Sequence, residues 1–371
     1  MSTSHSRRSP ALGALVLMAA QLVAACGSAT TSPSPSAGAA ASPPSQAPTA
    51  TATPRPSQSP AASGDANAVY DAVEQQVVAI RGLKPSKPVA RQFIDGDELR
   101  TMITQQFDED TPPAYLAANE QLYKALGLIP AGASLRDLSL DLLSGGVAGF
   151  YRNDQGKLYV VSKSGLPGAN ERFYFAHEYD HALQDQNSTI FKDQDGVLDQ
   201  SDRLLARQAV YEGDATLLMT QWAAANLTQA DLLEILASGS DPAAQAALSG
   251  APAILRETLT FPYTTGLGYI STIQSKGGWD AVNAMFAKMP ASTEQILHPD
   301  KSADAPVAVA LPADLASSLG AGWTVPLEDT FGELQLGIWL RESGVPNGAA
   351  TEAAAGWGGD RLAVVKGPDG A

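Results

Sequence analysis

Five residues, His177-Glu178-Tyr179-Asp180-His181, carry the strongest chemical signal in the chain. Two histidines at i and i+4 on a helix lie on one face, one turn apart. Imidazoles at that spacing can share one zinc ion at about 2.0–2.1 Å each. Glu178 lies next to that face and can reach a water on the ion, so the HExxH spacing holds two ligands and a general base. A catalytic zinc also needs a third protein ligand and an open position. Glu212, 31 residues past His181, is the candidate. Leu205, Ala209, Glu212, Thr216 and Met219 fall along one helical face, which sets a carboxylate in an apolar stripe. A buried carboxylate without a partner is costly or becomes protonated, and zinc would supply the cation it lacks. The neighbouring Gly213 costs about 1 kcal/mol in a helix interior, a cost that close approach of a second helix backbone would justify. Asp214 and Asp202 are rival ligands. Either of them, or Asp185, could instead be an acceptor for a ligand imidazole, and a solvated carboxylate is at least as consistent with each.

The elements that must position these groups follow from local pattern. Leu166 to Ala169 leads into the HExxH helix, with Asn170 as its N-cap. Ser201 to about Leu227 reads as a helix capped by Ser201 or Asp202. Between Val147 and Ser162, two apolar runs flank Asn153-Asp154-Gln155-Gly156, which is hairpin chemistry. Upstream, Ala66 to Ile80 has helical apolar spacing, Pro88 to Ile94 reads as a strand, and Asp95-Gly96 as a turn. Asp97 to Phe107 is helical, and Pro112-Pro113 opens a helix that ends at Gly127. Beyond Leu227, helical segments are interrupted near 238–242, 250–252, 277–278 and 290. Leu362 to Val365 reads as a strand followed by a turn, so its partner strand must come from elsewhere or the chain is cut short.

The run His177-Glu178-Tyr179-Asp180-His181-Ala182-Leu183-Gln184-Asp185-Gln186, followed by Glu212-Gly213-Asp214-Ala215, resembles the gluzincin group of zinc metallopeptidases, which includes thermolysin and the minigluzincins. It is most similar to bacterial lipoproteins and membrane-anchored proteins that share this HExxHALQDQ…EGDA pattern. The metzincin continuation is absent, because Gln184 and Asn187 stand where Gly and His or Asp are required. The resemblance implies His177, His181 and Glu212 as ligands of Zn2+ and Glu178 as the base. It implies an α+β, mostly helical fold, with a small N-terminal sheet over the HExxH helix and a helical C-terminal lobe. The 147–162 hairpin suits the edge strand over the cleft, where an extended peptide could pair by β-augmentation. The gap to Glu212 is longer than in thermolysin, so an insertion must separate the two helices. Gluzincins stabilise the oxyanion with a His or Tyr. His298, Tyr263 and, more remotely, Tyr269 are the candidates. A hydrogen-bonding structural role for His298 and a core role for the tyrosines are the competing readings.

The N-terminus reads as an address. Arg7 and Arg8 precede an apolar stretch, Ala11 to Ala25, that is short for a spanning helix, which needs about 20 residues. Val23-Ala24-Ala25-Cys26-Gly27 resembles a bacterial lipobox, implying cleavage after residue 25 and a lipid on Cys26 that holds the protein to the outer face of the cell membrane. Residues 26–65 are rich in Ser, Thr, Ala and Pro and read as a disordered tether, reaching roughly 35 Å as a coil and about 120 Å when extended. Residues 66–371 form the peptidase domain, with an N-terminal lobe over 66–187 and a helical lobe over 188–371. Of 24 basic residues, three (Arg7, Arg8, Arg55) precede residue 65, and none of the 39 acidic ones does. The body therefore carries 21 basic against 39 acidic groups. Such a surface repels phosphate backbones, which excludes nucleic acid as a partner. Its one cysteine forms no internal disulfide. The function classes left are a peptidase acting on peptide or protein, a non-catalytic lipoprotein binding envelope proteins or peptides, and a zinc hydrolase of a non-peptide amide.

Overall fold

The computed structural model describes residues 65–143, 149–161, 166–191, 198–238 and 242–368. Cys26, the leader, the tether, Val147, Ala148 and Ser162 lie outside the described residues. The chain begins with α1 (Ala66–Arg81). Asp65 caps it by accepting from the Asn67 amide, and Gly82, at φ 76°, ends it in the left-handed region that glycine tolerates. β1 (Ala90–Ile94) follows. Asp95 then caps α2 (Gly96–Asp110), its carboxylate accepting from the amides of Asp97 and Glu98. The Asp95-Gly96 pair is therefore a helix start rather than a reversing turn. α3 (Pro113–Ala125) and α4 (Leu135–Leu143) lead to the hairpin of β2 (Gly149–Arg152) and β3 (Lys157–Val161).

The sheet has the order β1-β3-β2, with β1 parallel and β2 antiparallel to β3. β2 is thus an edge strand. Behind it run α5 (Ala169–Asn187) and α6 (Ser201–Asn226). α7 (Gln229–Ser238), α8 (Pro242–Gly250) and the long α9 (Ala253–Met285) follow. α9 is broken at Gly277 and Gly278, where the backbone leaves helical values, as the Gly-Gly pair requires. The chain closes with α10 (Thr293–Leu297), α11 (Leu315–Leu319), β4 (Thr324–Asp329), α12 (Gly332–Glu342), α13 (Asn347–Ala354) and β5 (Leu362–Lys366). β5 pairs antiparallel with β4, so the C-terminal strand finds its partner within the chain. Among the described residues the fold is α+β and mostly helical, and no helix is long and apolar enough to cross a membrane.

One core joins α1, β3, α5, α6 and α7 through Tyr70, Val77, Leu158, Phe175, Leu183 and Trp222. It runs across residue 187, so the two halves of the domain share buried surface. A second core packs α6 against α9 through Ala206, Val210, Phe261 and Ile270. The α6–α9 crossing is backbone on backbone. A Cβ on Gly213 would stand 2.4 Å from the carbonyl carbon and oxygen of Gly266, and one on Gly266 would stand 2.3 Å from the Ala209 oxygen. The helix approach that Gly213 permits is made with α9.

Candidate metal centre

Two capping corrections fix where the site helices start. Gly168, not Asn170, is the N-cap of α5, and the Glu171 carboxylate accepts from the Gly168 amide at 2.6 Å. Two carboxylates from α7 also serve this end: Glu234 accepts from the Ala169 amide and Asp231 pairs with Arg172. Negative charge at a helix N-terminus is stabilising, so the HExxH helix is anchored from α7. Neither Ser201 nor Asp202 caps α6. Gln200 holds the cap position, and the Ser201 amide donates to Asp329 of β4 at 2.7 Å.

α5 and α6 bring His177, His181 and Glu212 together, all fully buried. His177 Nε2 lies 3.1 Å from Glu212 Oε2, His181 Nε2 3.4 Å from the same oxygen, and the two Nε2 atoms are 3.0 Å apart. Ligands about 2.0–2.1 Å from a tetrahedral ion stand about 3.3 Å from one another, so this triangle has the right size for one. Two buried atoms of these residues, His177 Nδ1 and Glu212 Oε1, have no hydrogen-bond partner among the described residues. The group can hold a metal ion.

The electrostatics show why a cation belongs there. Burial alone would raise the Glu212 carboxyl, but the His181 charge and hydrogen bonds from both imidazoles outweigh it and bring it down to about 2. Burial likewise works to lower His181, and the Glu212 and Glu178 carboxylates reverse this and lift it to about 9. His177 is held down at about 4, chiefly by desolvation. The ionised Glu212 thus favours one positive charge beside it, and of the two imidazoles His181 is the one whose surroundings favour a proton. A metal ion would displace that proton.

Glu178 is 2% exposed. Its Oε2 accepts from the Tyr151 amide of β2 at 2.8 Å, and its Oε1 has no hydrogen-bond partner among the described residues. Burial, the largest effect, pushes its carboxyl up to about 8. Tyr151 also donates its hydroxyl to Asp185 at 2.7 Å, so Asp185 clamps the edge strand rather than a ligand imidazole. Tyr263, on α9 one turn before Gly266, packs its ring 6.3 Å from that of His177 and is 3% exposed. His298 is bound by Glu333, Nε2 to Oε1 at 2.8 Å, and no contact links it to the ligand triangle among the described residues. Tyr269 belongs to the α6–α9 core.

Neither rival carboxylate enters the triangle. Asp202 accepts from the amide and hydroxyl of Thr293 and packs against Gly332. Asp214 pairs with Arg81 at 2.9 Å and accepts from Gln184 at the same distance. Arg81 and Gln184, both fully buried, escaped the sequence reading. A signal existed: Arg81 continues the stripe Tyr70, Val73, Val77 at helical spacing, a charge in register with a core face.

No protein-family model matches the chain, and no curated protein is similar to it. Among solved structures, a proposed hydrolase with a novel fold from Chloroflexus aurantiacus is similar at a TM-score of 0.41 and 16% identity, over 64% of this chain and 87% of that one. A likeness this distant carries no functional argument.

Proposed function

We propose that the chain is a zinc-dependent peptidase, held outside the cytoplasm by lipid on Cys26, that hydrolyses peptide bonds with Glu178 as general base. The observation that carries this reading is the buried triangle of His177 Nε2, His181 Nε2 and Glu212 Oε2, with edges of 3.0–3.4 Å. Three protein ligands with a carboxylate beside them is the catalytic rather than the structural pattern, since structural zinc sites close the sphere with four protein ligands. Zinc suits two imidazoles and a carboxylate, and when bound it would act as a Lewis acid that lowers the pKa of a water toward 7.

The chain's own groups do the rest. Glu178 keeps one oxygen without a hydrogen-bond partner among the described residues, and that oxygen can take the proton from the attacking water. Glu178, whose carboxyl burial raises, would be readied as a base by positive charge held at the neighbouring triangle. Glu178 then hands the proton to the leaving amine. Of the three oxyanion donors considered, Tyr263 has a ring contact with His177, whereas His298 pairs with Glu333 and Tyr269 lies in the α6–α9 core. Tyr263 is therefore the donor we assign. The edge strand β2 would align an extended substrate beside the base.

A second reading rests on the burial of all four groups, His177, Glu178, His181 and Glu212, at 0–2% exposure. A metal so covered also suits a lipoprotein that binds peptides or envelope proteins without cutting them. A peptide-library digest separates the two. The zinc-loaded wild type should cleave, while Glu178→Ala should hold zinc and lose cleavage. Cleavage retained by a contaminant-free, metal-loaded Glu178→Ala refutes the assignment, and a zinc-loaded wild type that cuts nothing favours the second reading. Cleavage of a non-peptide amide alone would mark a different hydrolase.

A further inference from the structure

We infer that Gln184 is the positioning residue of the metal centre, fixing His181 in the tautomer whose Nε2 lone pair faces the ion, and that Arg81 holds Gln184 in place through Asp180 and Asp214. The inference rests on the proposed metal site and deepens it.

Gln184 lies one turn beyond His181 on α5, fully buried. Its amide nitrogen faces three oxygens: Asp214 Oδ2 at 2.9 Å, the Tyr211 carbonyl at 3.0 Å and Asp180 Oδ2 at 3.2 Å. Turning the amide over would set its oxygen against the Tyr211 carbonyl, which has no proton to give, and against Asp214, which already accepts from Arg81. The orientation is therefore determined, and Gln184 Oε1 points at His181 Nδ1, 2.9 Å away. A carbonyl oxygen only accepts, so Nδ1 carries the proton. In the neutral ring Nε2 is then left as a lone pair, directed at the point between His177 and Glu212.

The asymmetry within the pair sharpens the assignment. Among the described residues His177 Nδ1 is buried with no hydrogen-bond partner, so none of them orients that ring as Gln184 orients His181. Behind Gln184 stands a built cluster. Arg81 reaches Asp214 at 2.9 Å, Asp180 at 3.5 Å and Asn283 at 2.7 Å, and its guanidinium lies 4.5 Å from the Trp279 ring centre. Two buried carboxylates would repel one another without that cation. The cluster thus links α1, α5, α6 and the end of α9 to one imidazole. Partners of this kind orient metal ligands, and their loss weakens metal binding by about 10–100-fold.

The test uses the full chain, with zinc affinity from chelator competition and the melting temperature of the metal-free form measured on the same samples. Gln184→Met keeps the length and loses the acceptor, and should weaken zinc by about 10–100-fold. Gln184→Glu keeps an oxygen opposite Nδ1 but gives up amide donors and adds a third carboxylate. It should lower the metal-free melting temperature while holding zinc within a few-fold of wild type. Zinc affinity equal to wild type in Gln184→Met overturns the assignment, as does equal weakening in both variants, which would mark a merely structural role. Nitrogen-15 NMR of the zinc-loaded wild type needs no variant to fold. It should show the His181 proton on Nδ1 and shielded from exchange, and a proton on Nε2 overturns the assignment. A wild type that takes up no zinc removes the metal site and this inference together, whereas normal zinc binding with unaffected variants removes only the latter.

Discussion

Replacing Gly213 with alanine adds one methyl group where two helices touch through their backbones. The new Cβ would meet the carbonyl carbon and oxygen of Gly266 at 2.4 Å and the Leu267 nitrogen at 3.0 Å. Carbon contacts are comfortable from about 3.5 Å, so α6 and α9 must separate by about 1 Å at the crossing. No flexible side-chain tip is available to give way. Overpacking costs about 1–3 kcal/mol, and rigid backbone on both sides puts this site at the upper end, about 2–3 kcal/mol, against a gain of about 1 kcal/mol from better helix propensity. The net expectation is a loss of about 1–2 kcal/mol in metal-free stability, read from urea melts. The site should suffer as well. Glu212 is the adjacent residue and Tyr263 is one turn from Gly266, while ligands must be held to within about 0.5 Å. Zinc affinity should therefore fall by about tenfold or more. Gly268→Ala is the matched control. It lies on α9, exposed, with nothing within 4 Å of a built Cβ. It should gain about 0.5–1 kcal/mol. If Gly213→Ala is as stable as wild type, propensity outweighs packing at the crossing and the reasoning fails.

Glu212→Ala should abolish tight zinc binding, and should cost the metal-free fold about 3–5 kcal/mol by stranding the charged His181. Unchanged zinc stoichiometry would contradict this. Asp202 is pushed up to about 7, mainly by burial, so the fold keeps a proton that the unfolded chain releases near pH 4. That contribution is fully present below the ordinary carboxylate range and fades as pH rises through about 7. Relative to Asp202→Asn, the metal-free wild type should lose stability between about pH 4 and about pH 7. Parallel pH–melting curves would refute the shift. Cys26→Ser should move the protein from the membrane fraction to the soluble one under fractionation, and continued membrane retention would remove the lipid anchor from the reading.

What the sequence made legible was what is local. His177, Glu178 and His181 could be read because their geometry follows from i, i+4 spacing on one helix. Glu212 could be read because a carboxylate on an apolar stripe beside a helical glycine demands an explanation. The β2–β3 hairpin announced itself through Asn153–Gly156. What stayed hidden depends on distant partners. The first amide of α6, that of Ser201, donates to Asp329 from 128 residues away, a pairing no window contains. β4 carries Pro326 in its middle and ends in two adjacent acidic residues, so it does not look like a strand until β5 lies beside it. The α5 cap is a glycine that works through Glu171 and Glu234, and glycine gives no capping signal of its own. Gln184 and Arg81 look ordinary in sequence, because their meaning comes from meeting between four helices.

That meeting gives the first helix an unexpected weight. α1 stands next to the Ser/Pro-rich leader, where trimming is usually harmless, yet it ends in the guanidinium that keeps Asp180 and Asp214 at peace. A shortened version starting at β1 would leave two carboxyls crowded behind the HExxH helix without their cation, and the damage would surface at the imidazole that Gln184 holds.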